Sequence, residues 1–151
     1  MADTTVVLET TTTTVVTETV VPSIIVSAQQ GPPGVSASTS TIVTAGEALS
    51  GGTPIVLVGG KAYKATNTAI EQANKVIGIT SSSIALDQTG IIICYGELNG
   101  FSGLTPDAPV YVSSTGTVVS TLPTSGYIQQ IGIALNATTI LVNIQPSLIL
   151  G

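Results

Sequence analysis

The stretch Thr53-Pro54-Ile55-Val56-Leu57-Val58-Gly59-Gly60-Lys61 decides the fold, because its pattern returns as Pro106-Asp107-Ala108-Pro109-Val110-Tyr111-Val112 followed by Thr115-Gly116-Thr117. Each copy has a proline at the mouth of an apolar run, where a missing N–H costs least. Each run ends in a Gly-containing pair suited to a tight reversal. Further on, Val76-Ile77-Gly78-Ile79 matches Gln130-Ile131-Gly132-Ile133 at nearly the same offset. The chain therefore contains two copies of one unit.

The match extends on both sides of this stretch. Gly46-Glu47-Ala48-Leu49 precedes the first copy as Gly96-Glu97-Leu98 precedes the second, and each copy ends in an apolar strand, residues 90–95 and 139–144. Short strands with frequent turn signals predict an all-β fold, a small barrel or sandwich built from a duplicated strand-turn-strand unit, with halves at about 45–95 and 96–146. A helix is possible only within residues 67–74, and the short length predicts a loop there with at most one or two helical turns.

Residues 1–30 differ from the rest and indicate an extended, β-rich N-terminal arm of Thr, Val and Ile. Such a low-charge strand can add to the sheet edge of a neighbouring subunit, although a flexible tail is the alternative. Residues 31–40 form a Gly/Pro/Ser linker, in which Gly31-Pro32-Pro33-Gly34 makes either a stiff turn or an axial contact in a trimer. The β-domain then covers residues 41–151. The residues predicted to form the assembly interface are Val6, Val7, Leu8, Val15, Val16, Val20, Val21, Ile24, Ile25, Val26, Pro32 and Pro33.

The composition restricts the partners. Charged residues make up 7% of the chain, where about 25% is usual, and three Lys stand against eight acidic residues with no Arg or His. Nucleic-acid binding needs a basic surface, so it is not expected. With a mean hydropathy of +0.57, much of the surface is expected to be buried against other subunits. The chain has neither a secretory signal nor an apolar run long enough for a membrane span, so we expect synthesis in the cytoplasm.

The chemistry available to the chain is also limited. The absence of histidine excludes Ser-His-Asp and Cys-His catalysis and any His-based metal site. Glu47 and Glu97 could form a carboxylate pair, but the duplication explains their similar settings. Cys94, the single cysteine, is expected to be a small buried hydrophobe, and Phe101 to plug one end of the core or to contact a partner. The sequon at Asn136 is expected to be a turn. We predict a protein that is not an enzyme, without cofactor or metal.

The segments Ala45-Gly46-Glu47-Ala48-Leu49, Lys61-Ala62-Tyr63-Lys64-Ala65, Gly100-Phe101-Ser102-Gly103-Leu104 and Leu141-Val142-Asn143-Ile144-Gln145-Pro146 carry a family resemblance. Together with the strands quoted above, they resemble small bacteriophage capsid cement (decoration) proteins over residues 41–150, and similar endings occur in phage head-fibre and tail-fibre domains. The resemblance implies a β-rich, commonly trimeric domain that sits on the phage head and reinforces joints between major capsid protein subunits. It thus implies a virion structural protein on the capsid surface; the alternatives are a head-fibre or tail-fibre module for host attachment and an enzyme of unfamiliar chemistry.

Overall fold

Antiparallel strands account for nearly all regular structure in the computed structural model, which describes residues 38–151. In this range the helical structure is one turn of 3-10 helix, Ile70–Gln72, which agrees with the loop of at most one or two helical turns expected there. The predicted all-β class is confirmed. The strands are β1 (Thr39–Thr44), β2 (Pro54–Val58), β3 (Lys61–Lys64), β4 (Val76–Thr80), β5 (Thr89–Asn99), β6 (Pro109–Val112), β7 (Val118–Val119), β8 (Tyr127–Ala134), β9 (Thr139–Asn143) and β10 (Ser147–Ile149).

The strand order reflects the predicted duplication. The main path of the sheet is β3-β2-β4-β5-β9-β8-β6-β7, so the order from one end, β3-β2-β4-β5, is repeated from the other end by β7-β6-β8-β9. We call β2 to β5 the first repeat and β6 to β9 the second repeat. They join through antiparallel pairing of β5 with β9, while β1 pairs with β5 and β10 pairs with β8.

The pairing register is the same in both repeats. In each, the proline that opens the first strand lies opposite an isoleucine, the next residue lies opposite a glycine, and a β-bulge follows immediately. A bulge at the same position means that the two repeats share the backbone conformation there. The bulge also changes which side chains face the core. The equivalent pairs are Pro54 with Ile79 and Ile55 with Gly78 in the first repeat, and Pro109 with Ile133 and Val110 with Gly132 in the second.

The turns follow from the residues that form them. Gly59 and Gly60 connect β2 to β3 and both have positive φ, +57° and +82°, as a two-residue type I′ hairpin requires. Between β8 and β9, the side chain of Asn136 accepts a hydrogen bond from the backbone N–H of Thr138 at 2.8 Å, which forms an Asx turn. The sequon is thus a turn, as expected.

Two hydrophobic cores lie on opposite faces of the first repeat. Successive residues of a strand point to opposite faces, and on β2 the side chain of Ile55 enters the smaller core whereas that of Val56 enters the larger one. The smaller core is covered by β1 and by the loops that carry Leu49 and Ile84. β1 begins at Thr39, so the sheet starts slightly upstream of residue 41.

The larger core lies between the two repeats, inside the curl of the sheet. It combines Val56, Val76 and Ile79 of the first repeat with inward-facing residues of the second. The members from the second repeat are Val110, Val112, Ile131, Ala134, Ile140 and Val142.

Asn67 joins the two repeats on the side where the sheet curls round. Its backbone N–H donates to the carbonyl of Ser113 at 3.1 Å, and its carbonyl accepts from the N–H of Tyr127 at 2.9 Å. Its side-chain amide donates to the carbonyl of Ser125 at 2.9 Å. Gly126 permits this approach, because an added Cβ would overlap the Asn67 carbonyl. The curl therefore depends on backbone contacts as well as on apolar packing.

Candidate interaction surface

Exposed apolar side chains are unusually frequent in the described domain. Twelve large hydrophobic side chains are exposed among residues 38–151, against eight charged residues in the same range. Single exposed hydrophobic residues are normal, whereas several on one face mark an interaction site. The exposed residues that lie together on one face are therefore the ones that indicate an interaction site.

One group lies on what we call the outer face, the face of the second repeat that points away from the larger core. Residues in direct cross-strand register share a face, which places Ile133 beside Leu141, and Ile128 beside Leu148 of β10. Strand alternation adds a tyrosine at each side, Tyr95 on β5 and Tyr111 on β6. The apolar members of the outer face are thus the exposed residues Tyr95, Ile133 and Leu148 and the half-buried residues Tyr111, Val119, Ile128 and Leu141.

The equivalent face of the first repeat can be compared with the outer face for burial. By register, Ile133 is the equivalent of Ile79, and Tyr111 is the equivalent of Val56. Ile79 is fully buried in the larger core, whereas 43% of Ile133 is exposed. The same face is therefore covered in the first repeat and uncovered, within residues 38–151, in the second.

Charge is absent from nearly all of the outer face. Residues 109–151 contain no Asp, Glu, Lys or Arg, so among the described residues Glu97 on β5 is the single charged side chain on the strands of this face. A solvated β-sheet face normally alternates apolar inward positions with charged or polar outward ones. The outer face lacks the charge that would keep it in water.

A second, smaller apolar group lies where β1 pairs with β5. Ile42 and Ile91 are direct cross-strand partners, with 70% and 47% of their surface exposed. They border a shallow cleft of about 290 Å³ whose other residues include Ser81, Ser82 and Thr89. It offers two apolar side chains, fewer than the outer face does.

A further cleft, of mixed polar and apolar character, lies near Asn67. It has a volume of about 310 Å³ and is lined by hydroxyl side chains from residues 113–125, together with Val119, Leu122 and Pro123. The side-chain oxygen of Asn67 has no hydrogen-bond partner, but it is sealed from the solvent, so a molecule in the cleft could not reach it. Neither an aromatic platform nor a charged group lines the cleft. Its chemistry is therefore that of a hydroxyl-lined depression.

The described residues show little that could react. Among residues 38–151, no group of three or more His, Cys, Asp or Glu side chains is placed to hold a metal ion. Glu47 lies in the loop after β1 and accepts a hydrogen bond from the backbone N–H of Lys64 at 2.9 Å, whereas Glu97 lies within β5. These two carboxylates thus occupy different local structures. Lys61 pairs with Asp87 at 2.7 Å on the surface, and this hydrogen bond raises the pKa of Lys61.

Several predicted residues can be placed. Cys94 is half-buried against the smaller core, so it is less enclosed than the sequence suggested. Phe101 packs against the larger core, as expected of a core plug. The twelve residues predicted for the assembly interface, from Val6 to Pro33, all lie outside the described residues. The outer face was missed from the sequence, although the charge-free run 109–151 was a signal that could have indicated it.

Comparisons with known proteins add no relative: no protein-family model matches the chain, and a search of curated proteins finds no match either. Within residues 38–151, no helix has the length and apolar character that crossing a membrane requires.

Proposed function

We propose that this chain is a structural subunit of a bacteriophage virion, a capsid decoration or cement protein that binds over the joints between major capsid protein subunits. The observation that carries the proposal is the exposed apolar surface on an all-β domain with few charges. Such a surface is a liability for a solitary soluble protein and an advantage for a subunit of an assembly. The resemblance of residues 41–150 to phage cement proteins supports the same role.

The proposed mechanism is burial together with strand addition. A standard interface buries about 1,600 Å² in total, and its repetition over many equivalent sites on a shell strengthens the shell without any single strong bond. The Thr/Val-rich arm, residues 1–30, would add a strand to a neighbouring sheet edge, with main-chain hydrogen bonds supplying the affinity. In this proposal the subunit is a homotrimer that needs neither a cofactor nor catalysis.

Deletion of residues 1–30 tests the arm. Purified full-length and truncated proteins are added to phage heads that lack the protein, and the occupancy of each is measured by electron cryomicroscopy and by quantitative mass spectrometry of the sedimented heads. A chain in which residues 1–30 are replaced by a Gly/Ser segment of equal length is the matched control for chain length. We expect both altered chains to lose occupancy. Full occupancy by the truncated chain would contradict the role of the arm.

Immunogold labelling of intact particles tests the location. We expect label over the heads. Label on tail tips would instead favour the alternative, a fibre module for host attachment. In that alternative, the hydroxyl-lined cleft near Asn67 would bind neutral sugars. Absence of the protein from purified virions would remove both forms of the proposal.

A further inference from the structure

We infer that the outer face of the second repeat is a self-association interface, covered in solution by a second copy of this chain. The proposed function already includes self-association; the inference names the surface that carries it, and the purified chain alone is enough to test it.

The first repeat shows how a face of this kind is buried within the chain. In the first repeat, the equivalent face presents Val56, Val76 and Ile79, which pack directly on the inward face of the second repeat. Within the chain, this type of face is therefore buried against a sheet. The equivalent face of the second repeat is left uncovered by residues 38–151.

Charge favours a second copy over a charged partner. The chain is acidic, with a net charge of −5, so two copies repel each other unless they meet through a neutral surface. The outer face is such a surface, because within residues 38–151 Glu97 is the single charged side chain on its strands and residues 109–151 carry none. Interface centres are depleted in charge and enriched in tyrosine, as Tyr95 and Tyr111 illustrate.

The size of the face suits the centre of an interface. Five strands, β7-β6-β8-β9-β5, cross it, which at about 4.8 Å per strand gives a width of roughly 20 Å. With about five residues along each strand, the footprint is roughly 340 Å². A standard interface buries about 800 Å² per partner, so the face would provide the apolar centre and the surrounding loops the rim.

The test is the oligomeric state of the full-length chain across a dilution series, measured by sedimentation velocity. Ile133→Glu places a charge at the centre of the outer face, and Leu148→Glu does so at its edge, where 63% of the side chain is already exposed and the fold is not at risk. We expect the wild type to be oligomeric. Each variant should raise the dissociation constant about tenfold or more, since a buried unpaired charge or a lost central anchor costs at least that much.

Ile42→Glu is the matched control, because it makes the same change on a side chain that is 70% exposed outside the outer face. It should sediment as the wild type does, and circular dichroism should confirm that all three variants are folded. A wild type that is monomeric throughout would overturn the inference. Dissociation caused by Ile42→Glu alone would also overturn it. If deletion of residues 1–30 dissociated the oligomer while the outer-face variants stayed associated, the arm would be the occupant and the inference would be wrong. A chain that associates through this face without binding phage heads would keep the inference and remove the proposed function.

Discussion

Replacing Tyr127 by phenylalanine tests the physical account of the buried polar groups on β8. Tyr127 is fully buried and its hydroxyl has no hydrogen-bond partner. Burial, assisted by the nearby Glu71, raises its pKa from 10 to about 12. An unsatisfied buried hydroxyl costs about 1 to 3 kcal/mol. We therefore expect Tyr127→Phe to raise the free energy of unfolding at neutral pH by about 1 kcal/mol, with the ring retained in its site.

The same substitution should change how stability depends on pH. Below pH 10 the phenol is protonated in the folded and unfolded states, so it adds no dependence. Between pH 10 and 12 the unfolded chain loses this proton while the folded chain keeps it, so stability falls as the pH rises. The full loss corresponds to about 2.7 kcal/mol. Tyr127→Phe should remove that part of the loss.

Urea titrations at several pH values from 7 to 12, followed by circular dichroism, measure both effects. Tyr111→Phe is the matched control, since it makes the same change on a ring that is half-buried on the outer face. The reasoning fails if Tyr127→Phe is less stable than the wild type at neutral pH by more than about 1 kcal/mol, which would mean that the hydroxyl is hydrogen-bonded. It fails equally if the variant loses as much stability at alkaline pH as the wild type.

Four further substitutions test the turns, the packing and one hydrogen bond. Gly132→Ala should destabilise the domain by more than about 2 kcal/mol, because the added Cβ would overlap the backbone of β9. Gly60→Ala has open space around it and a φ of +82°, so it should cost about 1 kcal/mol. Thermal melts compare the two variants. Ile140→Ala removes a fully buried side chain of the larger core and should cost about 2 to 5 kcal/mol in urea unfolding. Asn74→Gly, which suits the φ of +65° at this position, removes the side-chain acceptor of the Ser147 N–H, so hydrogen exchange at that amide should accelerate while global stability changes by about 1 kcal/mol or less.

The sequence predicted the repeated unit because its boundaries are set locally. Pro54 and Pro109 cannot donate to a ladder and so open their strands, and Gly59-Gly60 supplies the two positive φ values that a short hairpin requires. These constraints act within a few residues. They therefore appear in the sequence regardless of what packs on the strands.

The faces of the strands could not be predicted in the same way. The bulges after Ile55 and Val110 reverse which side chains point to the core, and the sequence does not mark them. Nor does the sequence show that β1 pairs with β5, a contact between segments about 50 residues apart that depends on the whole sheet. Without these facts, the alternation of apolar residues could not separate a core face from an exposed one.

The substitutions between equivalent positions describe what kind of surface the outer face is. Where the first repeat has Val56 and Val76 in the larger core, the second has Tyr111 and Gln130, whereas isoleucine is kept at the third position as Ile133. A face meant for water would have gained Lys or Glu at such positions, and a face still in a core would have kept its aliphatic residues. Tyrosine and an uncharged amide beside a retained isoleucine form contacts that tolerate both burial and temporary exposure. The second repeat is therefore suited to a surface that is exposed in the free subunit and covered in the assembly.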